Sequence, residues 1–195
     1  MIVFIVVPKN SGLKKYKDLA LSYLNNENSR ILEVRGEDVP YWIELLRGKN
    51  AIGLTGEDLY REYILENWET KLQIIKRITW EDNYALFGKP MLCLIGPKNK
   101  KLESMPKYLT VCISSKYKNI AKRYLNLLES KGYTFKKIYV KGCVELTCSE
   151  GIADLVVDIV YSGSSLKKYG LKIFDKIMGS DFLIIGGKNE KNKRE

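Results

Sequence analysis

The sequence predicts an α/β protein built as two lobes facing a central cleft, and three observations carry that expectation. Apolar strand-like runs alternate with helix-period runs along almost all of the 195 residues, and repeated strand–helix units imply a largely parallel sheet flanked by helices. The alternation starts afresh after Phe87-Gly88-Lys89-Pro90. Neither half alone makes a generous domain, since domains usually run about 100–200 residues. Two lobes, 1–88 with 171–195 and 89–170, fit better, with ligands gathering at the carboxyl ends of strands.

Each element has its own local reason. Ile2–Val7 is a continuous apolar run ended by Pro8, as in a strand covered on both faces. Tyr16, Leu19, Ala20, Tyr23 and Leu24 follow the spacing of an amphipathic helix. Ile31–Val34 reads as a strand, Pro40–Arg47 as a helix with proline in its first turn, Ala51–Leu54 as a strand, Glu57–Glu66 as a helix and Leu72–Ile78 as a strand. In the second round Met91–Ile95 and Leu109–Ser114 are strands around the basic loop Pro97–Pro106. Asn119–Lys131 is a helix, Phe135–Val140 a strand, Cys143–Glu150 a short helix, Leu155–Val160 a strand and Ser164–Tyr169 a short helix, with Phe182–Ile185 as the last strand. Tyr16, Tyr23, Tyr60, Tyr63 and Tyr124 fall on inner helix faces and are expected in the core. Lys98-Asn-Lys100-Lys101 reads as a solvated loop.

Composition narrows the chemistry. With no histidine in the chain, a histidine general base, a Ser-His-Asp triad and a histidine-ligated zinc are excluded. The net charge of +10 predicts an anionic ligand. The last eight residues, Lys188 to Glu195, hold four basic and two acidic residues and read as a charged tail, which leaves the body at +8. Met1–Val7 is too short for a signal-peptide core, and no run approaches the roughly 20 apolar residues of a membrane span; a cytoplasmic protein is expected. Cys93, Cys112, Cys143 and Cys148 sit in apolar segments without a CxxC, so buried reduced thiols are expected rather than disulfides or metal ligands.

The segment that carries chemistry is Leu155-Val-Val-Asp158-Ile-Val-Tyr161-Ser162-Gly163-Ser164-Ser165-Leu166. An apolar strand bearing an acid runs into Ser-Gly-Ser-Ser at the start of a helix. That turn offers backbone N–H groups, hydroxyls and a helix terminus to a phosphate. Gly163 lets the backbone approach closely, and Asp158 is an acceptor for sugar hydroxyls. Acid plus Ser-Gly loop describes a ribose-5-phosphate grip. The segment alone equally describes an ordinary strand–turn–helix with a serine N-cap.

The wider stretch from Glu145 through Gly151, Asp154, Asp158, Ser162 and Gly163 to Leu166 resembles the signature of ATP phosphoribosyltransferases, the first enzymes of histidine biosynthesis, with Ser165 where threonine is usual. Val7-Pro8-Lys9 resembles the family's first-strand Pro-Lys-Gly turn, with Asn10 in place of glycine. Val34-Arg35-Gly-Glu-Asp38-Val39-Pro40 and Gly53-Leu-Thr55-Gly56-Glu57-Asp58 are similar to its Arg-x-x-Asp-Ile-Pro and Gly-Ile-Thr-Gly-x-Asp pair. Ile113-Ser-Ser-Lys116-Tyr117 resembles its Ala-Thr-Lys-Tyr-Pro strand end, with Lys118 where proline is common. The interval before Arg35 is short, and Arg30 has no confident counterpart.

The resemblance implies a fold like the type II periplasmic binding proteins and attack of ATP N1 on C1 of phosphoribosyl pyrophosphate (PRPP), expelling pyrophosphate. N1 carries a free lone pair, so the missing histidine is no obstacle. Asp158, Ser162, Gly163, Ser164 and Ser165 would bind PRPP, with Glu145 and Asp154 orienting the ribose or holding the loop. Lys9, Arg35 and Lys116 would complement the pyrophosphate and triphosphate charge as catalytic residues; a solvated surface role is the alternative for the two lysines. Thr55, Gly56 and Asp58 would face the ATP, with capping of Glu57–Glu66 the alternative for Asp58. Mg²⁺ would ride mainly on substrate oxygens. The length resembles the short form without a C-terminal regulatory domain, which implies a homodimer and a separate subunit similar to histidyl-tRNA synthetase. A catalytically weak regulatory relative and a two-lobed small-anion binder are alternatives; no basic motif interleaved with aromatics supports a nucleic-acid binder.

Overall fold

The computed structural model describes residues 2–9, 18, 22 and 29–187. Most of the helix expected over Tyr16–Leu24, Tyr16 and Tyr23 included, the Asn10 position and the Lys188–Glu195 tail lie outside the described residues. The chain divides into two compact units, Met1–Thr79 with Asp181–Glu195, and Trp80–Ser180.

The first unit is a five-stranded sheet in the order β2-β1-β3-β10-β4, with β1 Val3–Pro8, β2 Ser29–Val34, β3 Ala51–Gly56, β4 Leu72–Ile78 and β10 Phe182–Gly187. β1 runs parallel to β2 and β3, whereas β10 is antiparallel to β3 and β4. Helices α1 (Val39–Leu45) and α2 (Glu57–Glu66) belong to this unit. α1 starts with Pro40 in its first turn, where the missing N–H would have had no partner within the helix. Its Val39 and Ile43 join Val6, Tyr60, Tyr63 and Ile185 in one buried cluster. Tyr60 and Tyr63 are therefore core residues, as their spacing predicts.

The second unit is a five-stranded sheet in the order β7-β6-β8-β5-β9, with β5 Met91–Pro97, β6 Tyr108–Ser114, β7 Thr134–Val140, β8 Leu155–Val160 and β9 Leu171–Gly179. β6 is parallel to β7 and β8, and β5 is antiparallel to β8 and β9. Helices α3 (Lys118–Glu129), α4 (Val144–Ser149) and α5 (Ser164–Lys168) complete it. Cys93, Cys112 and Cys148 are buried free thiols as expected, but Cys143 is exposed: it is the residue before α4 and adopts a left-handed φ of 53° outside the strand. Tyr124 is half-buried, its hydroxyl donating to Asp175 at 2.7 Å.

Three expectations need correction. Both sheets are mixed rather than largely parallel, because β10 and β5 each enter against their neighbours. The strand β9 has no counterpart in the sequence reading; its apolar residues Leu171, Ile173 and Ile177 are interrupted by Lys172, Asp175 and Lys176, as suits a half-exposed edge. Because β9 pairs along its whole length with β5, the chain returns to the first unit at Asp181, not at residue 171, and the first crossing falls at Thr79/Trp80 rather than near Gly88.

Gly53 is where α1 meets β3. A Cβ there would lie 2.8 Å from both Ile43 Cγ1 and Val39 Cγ1 and 3.0 Å from Ile185 Cγ1. Gly53→Ala is expected to destabilise the chain by about 1–3 kcal/mol through overpacking, lowering the Tm by roughly 2–10 °C. Calorimetry checks this against Gly132→Ala, where a Cβ meets nothing within 4 Å but φ is +86°, so only backbone strain should register there.

Candidate active site

Parallel strands deliver their carboxyl ends to one edge of a sheet, and the candidate residues collect along those edges. In the first unit Lys9 follows β1 and Arg35 follows β2; Pro8 pairs with Val34, and the Lys9 N–H donates to Val34 O at 2.8 Å. Two exposed cationic side chains therefore leave neighbouring strand ends. β3 ends in the same direction with Thr55 and Gly56. Thr55 is fully buried, and its hydroxyl donates to Gly36 O at 3.4 Å, so it braces the turn after Arg35 and presents no group to solvent. Gly56 is the N-cap residue of α2, and Asp58 is buried in its first turn. No side chain caps α2, so the capping role considered for Asp58 is not seen.

Beside Asp58, Glu57 is also buried and accepts a pair of guanidinium contacts from Arg77, one at 3.0 Å, and a contact from Arg61 at 2.9 Å. Burial alone would push its carboxyl up; the two guanidiniums outweigh burial and hold it below the usual range. Sequence reasoning had no signal for Arg77, which comes from β4.

In the second unit the parallel strands β6 and β8 bring Ser114-Ser115-Lys116 and Tyr161–Ser165 to one edge. β8 carries Asp158 two residues before its end, after the fully buried Val156 and Val157 and before the half-buried Ile159. Burial pushes the Asp158 carboxyl up to about 6. The Ile159 N–H, which donates to its Oδ1 at 2.8 Å, opposes this; Glu145 on α4 adds to the rise, while Lys116 and the Ser114 hydroxyl favour the ionised form. Asp158, Glu145 and Lys116 are therefore within electrostatic reach of one another. Ser114 is a further member that motif matching did not assign.

After β8 the chain turns through Gly163 at φ 74°, ψ 8°, a left-handed conformation that glycine takes without steric cost. Gly163 is the N-cap residue of α5, and no side chain caps the helix. The Ser162 and Ser164 hydroxyls instead lie 2.8 Å apart on the surface, with Ser165 exposed beside them. α5 has only five residues, so its macrodipole is small. The turn's N–H groups and three hydroxyls, rather than a long helix, make this a phosphate-sized polar surface.

Asp154 is not part of it. It sits before β8, the length of a six-residue strand, roughly 20 Å, from the serine loop. Its Oδ2 accepts the Thr110 N–H at 2.8 Å, and its own N–H donates to Thr110 O at 2.8 Å. It fixes the register of β8 against β6, at the end of the sheet away from the loop. The Lys98–Lys101 loop is exposed, as expected of a solvated segment.

A family model described as ATP phosphoribosyltransferase (HisG) matches residues 35–195. The chain belongs to the ATP phosphoribosyltransferase family. Among curated relatives it is similar to the ATP phosphoribosyltransferase of Metallosphaera sedula, 33% identical over 84% of this chain and 52% of that one. It is also similar to that of Clostridioides difficile, 32% identical over 92% of this chain and 83% of that one. The chain thus spans about half the length of the Metallosphaera sedula relative. A solved complex, the ATP phosphoribosyl transferase (HisG:HisZ) of Thermotoga maritima, superposes with a TM-score of 0.73 at 25% identity, covering 98% of this chain and 90% of that one. A periplasmic sulfonate-binding protein from Methylobacillus flagellatus shares the fold, with a TM-score of 0.63 at 18% identity over 100% of this chain and 63% of that one. The two-unit α/β architecture is therefore of the periplasmic-binding-protein kind.

The raised Asp158 pKa has a stability consequence whose sign follows from linkage. The folded chain holds this proton up to about pH 6, while an unfolded aspartate loses it near 3.8. Stability contributed by the protonated form is thus complete below about pH 4 and lost as pH rises towards 6. Asp158→Asn should match the wild type near pH 4 and exceed it by about 1–3 kcal/mol at pH 7.5. Urea unfolding at the two pH values measures the difference; equal stability at both would show that the carboxyl is not held protonated by burial.

Proposed function

We propose that the chain is an ATP phosphoribosyltransferase, joining ATP N1 to C1 of PRPP with loss of pyrophosphate, the first step of histidine biosynthesis. The observation that carries this is Asp158 and the left-handed Gly163 between Ser162 and Ser164, set at a parallel-strand end within the family's matched region. The reaction is a pentosyl transfer, with inversion at C1. The attacking nitrogen needs no deprotonation, so the protein's task is alignment and charge stabilisation.

In this reading the 5-phosphate lies on the N–H groups and hydroxyls of Ser162–Ser165, and the Asp158 carboxylate accepts the ribose hydroxyls. Glu145 tunes that carboxylate by its charge. Lys116 brings positive charge beside the same acid and serves the pyrophosphate. Lys9 and Arg35, on the first unit, complement polyphosphate charge, and Gly56 with Asp58 contributes to ATP binding. Thr55 acts indirectly, through the turn it braces.

Among the described residues no group of three or more His, Cys, Asp or Glu is arranged to hold a metal ion. Asp158 and Glu145 are oxygen donors of the right hardness, and Mg²⁺ characteristically binds one or two carboxylates plus substrate phosphates and water. These residues fit a Mg²⁺ carried mainly by PRPP. When bound, that ion would neutralise the departing pyrophosphate.

A separate regulatory subunit, similar to histidyl-tRNA synthetase, is proposed by analogy with the HisG:HisZ complex of Thermotoga maritima, and a homodimer is the proposed assembly of this chain. Among the described residues no helix is long and apolar enough to cross a membrane; a cytoplasmic location is proposed for a biosynthetic step that uses ATP.

The test mixes the chain with ATP, PRPP and Mg²⁺, with and without a candidate regulatory subunit, and follows phosphoribosyl-ATP by ultraviolet absorbance. Product is expected in at least one condition. Asp158→Ala and Gly163→Val should each weaken PRPP binding roughly ten- to hundredfold, as expected for losing charge-assisted hydrogen bonds or the turn that presents the donors. Unchanged PRPP affinity in both folded variants would refute the loop assignment. PRPP binding without product in either condition would favour a regulatory relative over an active enzyme.

A further inference from the structure

The serine loop is held from behind by Trp80–Gly88, a segment far from it in sequence and outside the motifs quoted in the sequence analysis. The segment closes on itself: Asp82 N–H donates to Gly88 O at 2.9 Å and Gly88 N–H to Ala85 O at 2.9 Å. The Asp82 carboxylate takes part in both the turn and the loop. Oδ1 accepts the Tyr84 N–H at 2.9 Å and folds the turn, while Oδ2 accepts the hydroxyl of Tyr161, the residue immediately before Ser162.

Two more contacts fall on the same place. Leu86 N–H donates to Tyr161 O at 2.7 Å. A Cβ built on Gly163 would lie 3.3 Å from Leu86 Cδ2, so the leucine side chain rests against the left-handed residue of the loop. The Tyr161 ring is also fixed by Trp80, edge-on with centroids 6.2 Å apart at 78°. Backbone, hydroxyl, ring and methyl contacts thus converge on the two residues that flank Ser162.

Such bracing matters because of what the loop itself lacks. Ser162, Ser164 and Ser165 are exposed; the Ser162 and Ser164 hydroxyls pair at 2.8 Å, the Ser164 N–H makes a long 3.4 Å contact with Ser162 Oγ, and α5 ties in Gly163 O and Ser165 O through the Lys167 and Tyr169 N–H groups. A short glycine turn of this kind, left to itself, samples many backbone states, and a ligand would have to order it on binding. With Tyr161 and Gly163 held on either side of Ser162 and α5 following, the turn aims its N–H groups without that loss.

We propose that Asp82 is a positioning residue for sugar-phosphate recognition, acting through the Tyr161 hydroxyl and the Leu86 turn to preset the Ser162–Ser165 loop. The proposal rests on the assignment of that loop to the 5-phosphate. Asp82 touches no substrate in this account, and Tyr161 contributes its hydroxyl to Asp82 rather than to the ligand.

Tyr161→Phe isolates the link, since it keeps the ring against Trp80 and the backbone bond from Leu86 and removes one hydroxyl. The full chain is titrated with PRPP, with ribose 5-phosphate as a probe that lacks the pyrophosphate, and with ATP as a control; amide hydrogen exchange is followed at residues 162–165. Tyr161→Phe should weaken PRPP and ribose 5-phosphate alike by about three- to tenfold, the usual scale for one lost hydrogen bond. Exchange at 162–165 should speed up, and ATP affinity should stay within about twofold. Asp82→Ala should weaken both sugar phosphates at least as much, and adding Tyr161→Phe to it should cost little more, because the two side chains act as one unit. Asp82→Asn, which keeps an oxygen for the Tyr84 N–H, should recover part of the loss. Wild-type affinity and exchange in Tyr161→Phe would overturn the positioning role, as would a lowered Tm with unchanged sugar-phosphate affinity. A wild-type chain that binds neither PRPP nor ribose 5-phosphate would instead overturn the loop assignment on which the proposal rests.

Discussion

Asp158 is an ionisable group placed where an apolar side chain would be the default, and much of the second unit follows from that placement. Its strand neighbours Val156 and Val157 are fully buried, and a carboxylate taken from water into such surroundings is costly unless hydrogen bonds and charge compensate it. The surroundings supply that compensation in part: the Ile159 N–H, the Ser114 hydroxyl and the Lys116 charge favour the anion, while burial and Glu145 oppose it. The balance leaves the carboxyl up near 6, and in the proposed function the sugar hydroxyls are further donors that favour its ionised form.

The constraint propagates along the backbone. The same strand that holds Asp158 half-buried must release its next residues to the surface within a few positions. It does so through Tyr161, tied to Asp82 and Leu86, and through Gly163, whose left-handed φ reverses the path. At the other end Asp154 locks β8 to β6 through Thr110. The acid is thereby held at a fixed depth between a register lock and a glycine turn. Lys116 reaches the same edge because β6 runs parallel to β8.

Much of this was legible in the sequence, for reasons that differ by element. β8 and α2 were readable to the residue because a mostly apolar run leading to Ser162-Gly163 and a run with helical spacing of Leu59, Tyr60, Tyr63 and Ile64 each stand out from their surroundings. β9 was not, because an edge strand with lysines and an aspartate on its exposed positions has neither strict alternation nor a continuous apolar run. The antiparallel entry of β5 and β10 was also hidden: periodicity reports that a segment is a strand and is silent about its direction. At the site, the acid, the glycine and the serines were visible because they are neighbours in sequence. Asp82, Arg77 and Ser114 were not, since each acts on residues that only the fold brings near. Asp154 and Thr55 show the converse: residues of the motifs whose side chains bond the backbone, at Thr110 and Gly36.

The net charge of +10 belongs in the same picture. General positive charge raises the local concentration of polyphosphates, but it does not specify where they bind; in the proposed function selectivity comes from the acceptor at Asp158 and the donors at 162–165. The most direct test is a map of backbone amide shifts on adding PRPP to isotope-labelled chain. The account predicts the largest shifts at 158–159 and 162–166, with smaller ones around Lys116 and little change in the basic loop 98–101. Dominant shifts in that loop, with the 162–166 amides unmoved, would contradict it.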